Sequence, residues 1–137
     1  MSADVKPFGP VDRALLTLLE QRIPLLTGAP ARSGGELPGD VDMLYVRIAR
    51  VPGGATNQRY GDFVFDVEVF SPDWNLADSV AQDIEAVLIG YPQVVGLNDQ
   101  VFIFDEVRQN QGVSEIFWDD DTVHRLLATY VIIMRRR

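Results

Sequence analysis

The most constraining feature of this sequence is a strand pattern that runs directly into a helix signal, FVFDVEVFSPDWNLADSVAQDIEAVL, at residues 63–88. An apolar side alternates with a side that carries Asp66 and Glu68, and this period of two is typical of a strand. The apolar side consists of Phe63, Phe65, Val67 and Val69. Ser71 or Asp73 can cap the helix that follows, whose apolar residues recur at helical spacing. The sequence therefore predicts a strand joined at once to a capped helix.

The carboxylates of this stretch have two interpretations. Asp66, Glu68 and Asp73 could form a metal or acid–base site. Alternatively, Asp66 and Glu68 are the solvated side of the strand, opposite the face that packs on the helices. Asp73 would then stabilise the helix N-terminus by about 0.3 to 1 kcal/mol. We favour the second interpretation, because each acid has a structural explanation of its own.

The rest of the chain supplies one more helix and three more strands. The helix is expected at VDRALLTLLEQRI (11–23), and the strands at DMLYVRIAR (42–50), QVFIFDEVRQ (100–109) and VHRLLATYVIIMR (123–135). The segments 24–40 and 52–62 are rich in glycine, proline and polar residues, so we expect exposed loops there. The order predicts a single α+β domain over residues 1–137, with a mainly antiparallel four-stranded sheet and two helices on one face.

The last two predicted strands are apolar on both sides. In VFIFDEV and in LLATYVIIM, consecutive residues are hydrophobic, whereas a sheet with one wet face should alternate cleanly. The second face must therefore be covered. Loop 24–40 with the N-terminal segment could cover it, or another subunit could. We favour another subunit.

Composition excludes several classes of protein. The sequence has no cysteine, which rules out disulfides, thiolate chemistry and cysteine-ligated zinc. Its formal net charge of −8 argues against wrapping a phosphate backbone. The longest apolar run, 126–134, is shorter than the ~20 residues that span a bilayer as a helix. The start, MSADVKPFGP, does not resemble a signal peptide, so we expect a protein made and used inside a cell, without a membrane.

Catalytic motifs are hard to find in this sequence. It has one histidine, His124, and contains neither a nucleophile elbow, a P-loop nor a dinucleotide-binding glycine pattern. The acidic run Asp119, Asp120 and Asp121 lacks the spacing of an EF-hand and is interpreted as a turn before the last strand. Weak divalent-ion binding there, or a metal-dependent hydrolase built on it, is the alternative. No constellation of residues in the sequence supports an enzyme or a metal site.

Two stretches together resemble the tail terminator proteins of long-tailed bacteriophages. They are FDVEVFSPDWNLADSVAQDI and FWDDDTVHRLLATYVIIMRR, and the length and element order also agree. The resemblance implies a six-membered ring at the head-proximal end of the tail tube. Such a ring ends tube polymerisation, presents a surface to the neck and lets DNA pass without specific binding. It implies a virion protein of the tail or neck, assembled in the host cytoplasm, with the major tail tube protein and a head-closure protein as partners. It also implies that the chain forms rings, is not an enzyme and carries no cofactor.

The resemblance also suggests which residues meet these partners. Candidate contacts with the tube or neck are Arg50, Arg59 and Tyr60. Trp118 is a further candidate because an aromatic residue in a polar loop can anchor a partner, but core packing is the commoner explanation for such a residue. Candidate acids of the lumen or the ring surface are Asp66, Glu68, Asp119, Asp120 and Asp121. The C-terminal arginines 135–137 are either a solvated tail or a contact with an acidic neighbour. A head-closure or other head–tail connector protein is the alternative with similar size and charge.

Overall fold

The computed structural model describes residues 8–26, 31–33, 41, 43–57, 59–89, 93–118 and 122–135. Two helices and one sheet make up this part of the chain. The helices are α1 (Val11–Arg22) and α2 (Trp74–Leu88). The strands are β1 (Ala31–Ser33), β2 (Tyr45–Arg50), β3 (Tyr60–Ser71), β4 (Gln93–Leu97), β5 (Gln100–Ile116) and β6 (His124–Arg135). The α+β class expected from the sequence is confirmed.

Helix α2 begins directly after Asp73, one of the two capping residues expected from the sequence. The Asp73 carboxylate accepts hydrogen bonds from the backbone N–H groups of Asn75 (3.0 Å) and Leu76 (3.3 Å), which have no partner inside the helix. Ser71 contributes differently: its hydroxyl accepts from the N–H of Asp73 at 3.0 Å and donates to the carbonyl of Met43 at 2.6 Å. These bonds join the end of β3, the start of α2 and the segment before β2.

The sheet has six strands in the order β1-β2-β3-β6-β5-β4, so the expected number of four strands is wrong. Five strands are antiparallel, and β1 pairs in parallel with the edge of β2. Strand β1 lies inside the segment expected to be a loop. Strand β4 pairs with β5 through a two-residue turn in which Asn98 and Asp99 have φ of 52° and 62°. That left-handed geometry matches the twist of a hairpin, and asparagine and aspartate tolerate it best after glycine.

Strand β5 is longer than the sequence pattern indicated. It continues to Ile116 because β6 pairs with it as far as Arg125, and the register shifts between positions 104 and 106, 109 and 111, and 111 and 114. Each shift is a bulge or irregularity that breaks the alternation of side chains. Strand β4 covers β5 only from Gln100 to Phe104, so the outer edge of β5 beyond it has no neighbouring strand among the described residues.

The helices cover one face of the sheet, called here the inner face. Its core includes Phe65, Phe102, Phe104 and Tyr130, each 1 % exposed or less, together with the apolar sides of both helices. Burial raises the pKa of Tyr130 to about 12, partly opposed by a hydrogen bond to its hydroxyl from the side-chain amide of Gln109. The opposite side of the sheet is called the outer face.

The two segments expected as loops have different structures. In segment 24–40, Pro24–Leu26 forms one turn of 3₁₀ helix with Leu26 fully buried, and residues 27–30 and 34–40 lie outside the described residues. In segment 52–62, the described residues from 52 to 59 are exposed, whereas Tyr60 already begins β3. None of the described helices has the length and apolar character needed to span a bilayer.

Candidate functional site

A second, smaller hydrophobic cluster covers half of the outer face. Tyr45, Phe70 and Val123 are buried there, and Val41 and Trp118 pack against them. The ring of Phe70 meets that of Trp118 edge-on at 5.1 Å between centroids. Trp118, singled out from the sequence as a partner contact, is therefore half-buried against its own chain.

Beside this aromatic cluster lies a buried ion triad. Glu68 is 1 % exposed and forms ion pairs with Arg47 on β2 and Arg125 on β6. The guanidinium of Arg125 also lies over the rings of Phe70, at 5.5 Å, and Trp118, at 5.3 Å. Glu68 does lie on the outer face as expected, but the expectation that it is solvated is wrong, because neighbouring strands bring two arginines over it.

The other two acids of the opening stretch also have separate partners. Asp66 accepts a hydrogen bond from the Thr129 hydroxyl at 2.7 Å, and Asp73 caps α2. Asp66 and Thr129 are directly opposite each other on β3 and β6. The structure thus does not bring these acids to one point. Among the described residues, no group of three or more His, Asp or Glu side chains is placed to hold a metal ion.

The acidic run Asp119, Asp120 and Asp121 lies outside the described residues. His124, the only histidine of the sequence, contacts the Glu115 carboxylate through Nδ1 at 2.6 Å. Both of these side chains are exposed, and no nucleophile is found with them among the described contacts.

The other half of the outer face is a partly covered row of β-branched side chains, which we call the aliphatic stripe; its member Val64 lies close to Gly53 in the segment between β2 and β3. It consists of Val64, Val94, Val101, Ile103, Val131 and Ile133. Val64 is opposite Val131, and Val94 is opposite Ile103, in the strand register. Val94 and Val101 are the most open, at 58 % and 43 % exposed. The second apolar face expected from the sequence is therefore present, and the described part of the chain leaves it partly open.

Three of the candidate contact residues lie together at one end of the sheet. Arg50 stacks over the ring of Phe63 at 4.7 Å, and Tyr60 is opposite Arg135 in the register of β3 and β6. The Asn57 side chain accepts hydrogen bonds from the backbone N–H groups of Arg59 and Tyr60, each at 2.8 Å. This bond shapes the exposed turn that presents Arg59.

Arg135 is anchored at the same end of the sheet. Its guanidinium pairs with the Asp105 carboxylate at 2.9 Å, and the hydrogen bonds and charge of Asp105 raise the pKa of Arg135. The first of the three terminal arginines is therefore part of strand β6 and not a frayed tail; the other two lie outside the described residues.

Three further exposed apolar side chains were missed by sequence reasoning. Phe117 is 83 % exposed and follows directly on β5, and Met43 (64 %) and Trp74 (43 %) lie at the same end of the sheet. Strands β3 and β6 separate Phe117 from Met43, so these are separate exposed side chains at one end of the sheet. The sequence contained one usable signal. Neighbouring side chains of an extended chain point in opposite directions, so Phe117 points to solvent when Trp118 packs against its own chain.

An open cleft of about 480 Å³ lies where both helices end, against the start of β4. The side-chain amide of Gln93 bridges the two ends: it donates to the carbonyl of Val87 at 3.0 Å and accepts from Arg22 at 3.3 Å. The cleft holds one exposed carboxylate, Asp83, beside apolar side chains. The bonds of Gln93 to Arg22 and Val87 make this cleft a junction between the two helix ends.

Comparison with known proteins relates the chain to a virus-like particle at the level of the fold. A chain of a solved structure described as the virion of a native gene transfer agent (GTA) particle is similar with a TM-score of 0.56 and 14 % identity. The match covers 93 % of this chain and 98 % of that chain. A second solved structure is similar with a TM-score of 0.50 and 17 % identity, over 93 % and 91 % of the two chains. No protein-family model and no curated protein sequence matches.

Proposed function

We propose that this chain is a structural protein of a phage-like virion that forms a ring at the head-proximal end of the tail tube. The observation that carries the proposal is the fold shared with a chain of a virion particle over nearly the whole length of both chains. The resemblance of residues 65–84 and 117–136 to tail terminators supports the more specific role. In that role the ring ends tube polymerisation and presents a surface to the neck.

The aliphatic stripe supports assembly into a ring. Its side chains are stiff, apolar and partly open to water, and surfaces of this kind are typically covered by another protein. A closed ring uses two different surfaces of each copy, and the aliphatic stripe is our candidate for one of them. A six-membered ring is the stoichiometry that the terminator role implies.

The candidate contact residues lie at the surface of the chain, where a partner protein can reach them. Arg50, Arg59 and Tyr60 are exposed together at one end of the sheet, and we propose that they meet the tube or the neck. Asp66 and the acidic run 119–121 remain our candidates for the lumen or the ring surface. Glu68 offers no exposed carboxylate to either, since its charge is neutralised within the chain.

Electron microscopy of purified protein mixed with tail tubes of the same particle tests the proposal. We expect the protein to cap one tube end with six-fold symmetry and to prevent added tube subunits from extending it. Arg59→Glu should reduce the fraction of capped tubes, because the contact loses a cation. Gln82→Glu, a matched change on the exposed side of α2, should leave that fraction unchanged.

A head-closure or connector protein is the second candidate, and the same observation favours it, because the matched particle is a whole virion. In this case the tube ends would stay bare and the protein would bind the portal vertex of tail-less heads. That outcome would contradict the terminator role and would support a role as a head-side protein of the neck.

A further inference from the structure

Phe117 and Trp118, called here the tip segment, lie beyond the last backbone pair of β5 with β6. That last pair is Ile116 with Arg125, and β5 itself ends at Ile116. A segment that continues past its strand loses the ladder of hydrogen bonds, and its local stability is low unless other contacts hold it. Side-chain contacts must therefore determine how firmly the tip segment is held.

The guanidinium of Arg125 connects the tip segment to strand β3. It lies over the ring of Trp118 at 5.3 Å, and its Nη1 donates a long hydrogen bond of 3.5 Å to the carbonyl oxygen of Phe117. The same group lies over the ring of Phe70 at 5.5 Å and pairs through Nε with the Glu68 carboxylate. Arginine suits this position, because its planar guanidinium stacks on aromatic rings and donates hydrogen bonds in fixed directions.

Burial strengthens these contacts. The side chain of Arg125 is 19 % exposed, and that of Glu68 is 1 % exposed. Exclusion of water increases both the attraction of the ion pair and that of a cation for an aromatic ring. Glu68 thus fixes the orientation of the guanidinium that Trp118 and Phe117 contact.

We propose that Arg125 is a positioning residue, which holds the tip segment on the outer face and keeps the Phe117 side chain directed to solvent. Trp118 is half-buried beneath it, whereas Phe117 is 83 % exposed. The proposal does not depend on the proposed function, because it concerns contacts within one copy of the chain. Its consequence is pre-organisation, since a protein that bound this end of the sheet would not have to order the segment first.

Two matched substitutions test the proposal. Arg125→Met removes the guanidinium that reaches the tip segment. Arg47→Met removes the other guanidinium that pairs with Glu68, on β2, which β3 separates from β6. Both substitutions take one cation from the same buried carboxylate, so both should lower the global stability. Only Arg125→Met should release the tip segment.

Tryptophan fluorescence measures this release directly. The sequence has two tryptophans, so a Trp74→Phe parent leaves Trp118 as the only emitter. We expect Arg125→Met to increase the quenching of Trp118 by acrylamide and to shift its emission to longer wavelength, because the ring becomes more open to water. Arg47→Met should match the parent in both respects.

Limited proteolysis with chymotrypsin provides a second local measurement. We expect Arg125→Met to raise the rate of cleavage after Phe117 about tenfold, because cleavage follows the population of the open segment. Arg47→Met should leave that rate within about twofold of the parent. Cleavage at other sites, identified by mass spectrometry, reports global unfolding and serves as the internal reference.

Arg125→Lys provides a test that does not remove the cation from Glu68. Lysine keeps a positive charge beside the carboxylate, but it lacks the planar group that contacts both rings and the Phe117 carbonyl. We expect a folded protein by circular dichroism, with quenching of Trp118 and cleavage after Phe117 intermediate between those of the parent and Arg125→Met.

Two outcomes would overturn the proposal. Equal release of the tip segment by Arg47→Met and Arg125→Met would show that the ion triad stabilises the whole domain and does not position this segment. Unchanged quenching and cleavage in the folded variants of Arg125 would show that packing of Trp118 against Phe70 holds the segment alone.

Discussion

At the scale of single residues, Glu68 shows how neighbouring strands change the meaning of a carboxylate. Its partners Arg47 and Arg125 are 21 and 57 positions away in the sequence, and they reach it only because β2, β3 and β6 are adjacent. A buried charge is tolerated when it is paired and hydrogen-bonded, as here. The triad also favours one register, since a shift of β3 by one residue would turn Glu68 into the apolar inner core.

We expect Glu68→Gln to lower the free energy of unfolding by about 3 kcal/mol, because two guanidinium groups then lie side by side without the carboxylate between them. Urea denaturation measures this change. Glu106→Gln is the matched control, since Glu106 forms an exposed pair with Arg108, and its effect should stay within about 0.5 kcal/mol. Equal effects of the two substitutions would contradict a stabilising role for the buried triad.

Tyr130 makes stability depend on pH in the alkaline range. Burial raises the pKa of Tyr130 from 10.0 to about 12, so the folded state favours the neutral phenol. This contribution is fully present below pH 10 and is lost as the pH rises through 12.

We therefore expect the unfolding free energy of the wild type to fall more steeply between pH 10 and 12 than that of Tyr130→Phe, which has no proton to lose. Chemical denaturation at several pH values compares the two proteins. Tyr60→Phe, at an exposed position, should retain the steep fall of the wild type. Parallel curves for wild type and Tyr130→Phe would show that this tyrosine does not control the transition.

At the scale of elements, α2 is specified by its own sequence. Asp73 combines a side-chain cap with a negative charge at the positive end of the helix. The buried side of α2 then follows the helical spacing of Ala77, Val80, Ala81, Ile84 and Leu88. These determinants are local, and they produce the same helix in the sequence analysis and in the structure.

Replacement of the cap separates its two contributions. Asp73→Ala should lower the free energy of unfolding by about 1 kcal/mol, since two backbone N–H groups lose their acceptor. Asp73→Asn keeps the acceptor and removes the charge, so its cost should be about 0.3 to 1 kcal/mol and fall with added salt. Thermal unfolding at low and high salt distinguishes them. A salt-independent loss for Asp73→Asn would argue against the dipole contribution.

The edge of β5 is an element-scale feature that can pair with other chains. Beyond Phe104 no described strand covers this edge, and an unpaired edge invites association. Irregular register along β5 and the charged residues Glu106, Arg108 and Glu115 discourage regular pairing.

At the scale of the whole molecule, charge limits the possible partners. The formal net charge of −8 repels phosphate, and the described basic side chains are largely paired with carboxylates or stacked on aromatic rings. The described part of the chain therefore presents little unpaired positive charge to a nucleic acid.

We expect no binding of double-stranded DNA by the isolated protein even at low salt, where electrostatic attraction would be strongest. A gel mobility shift with a random duplex measures this, and a basic DNA-binding protein serves as the positive control. A salt-dependent shift at micromolar protein would contradict a conduit that does not bind its DNA.

The sequence by itself determined the features whose causes are local. Alternation in β3, the cap of α2 and the helical spacing of α1 and α2 predict these elements because each signal acts within a few residues. The doubly apolar β6 likewise indicated an outer face that needs cover. From these, the α+β class and the placement of both helices on one face followed directly.

The tertiary structure alone decided the rest. Strand β1 and strand β4 are short, and they exist because a longer neighbour offers them an edge. Burial of Glu68 depends on two arginines from other strands, and exposure of Phe117 depends on Trp118 packing against Phe70. Such outcomes arise from contacts between residues far apart in the sequence, and a pattern within a few residues carries no information about which distant side chains will meet.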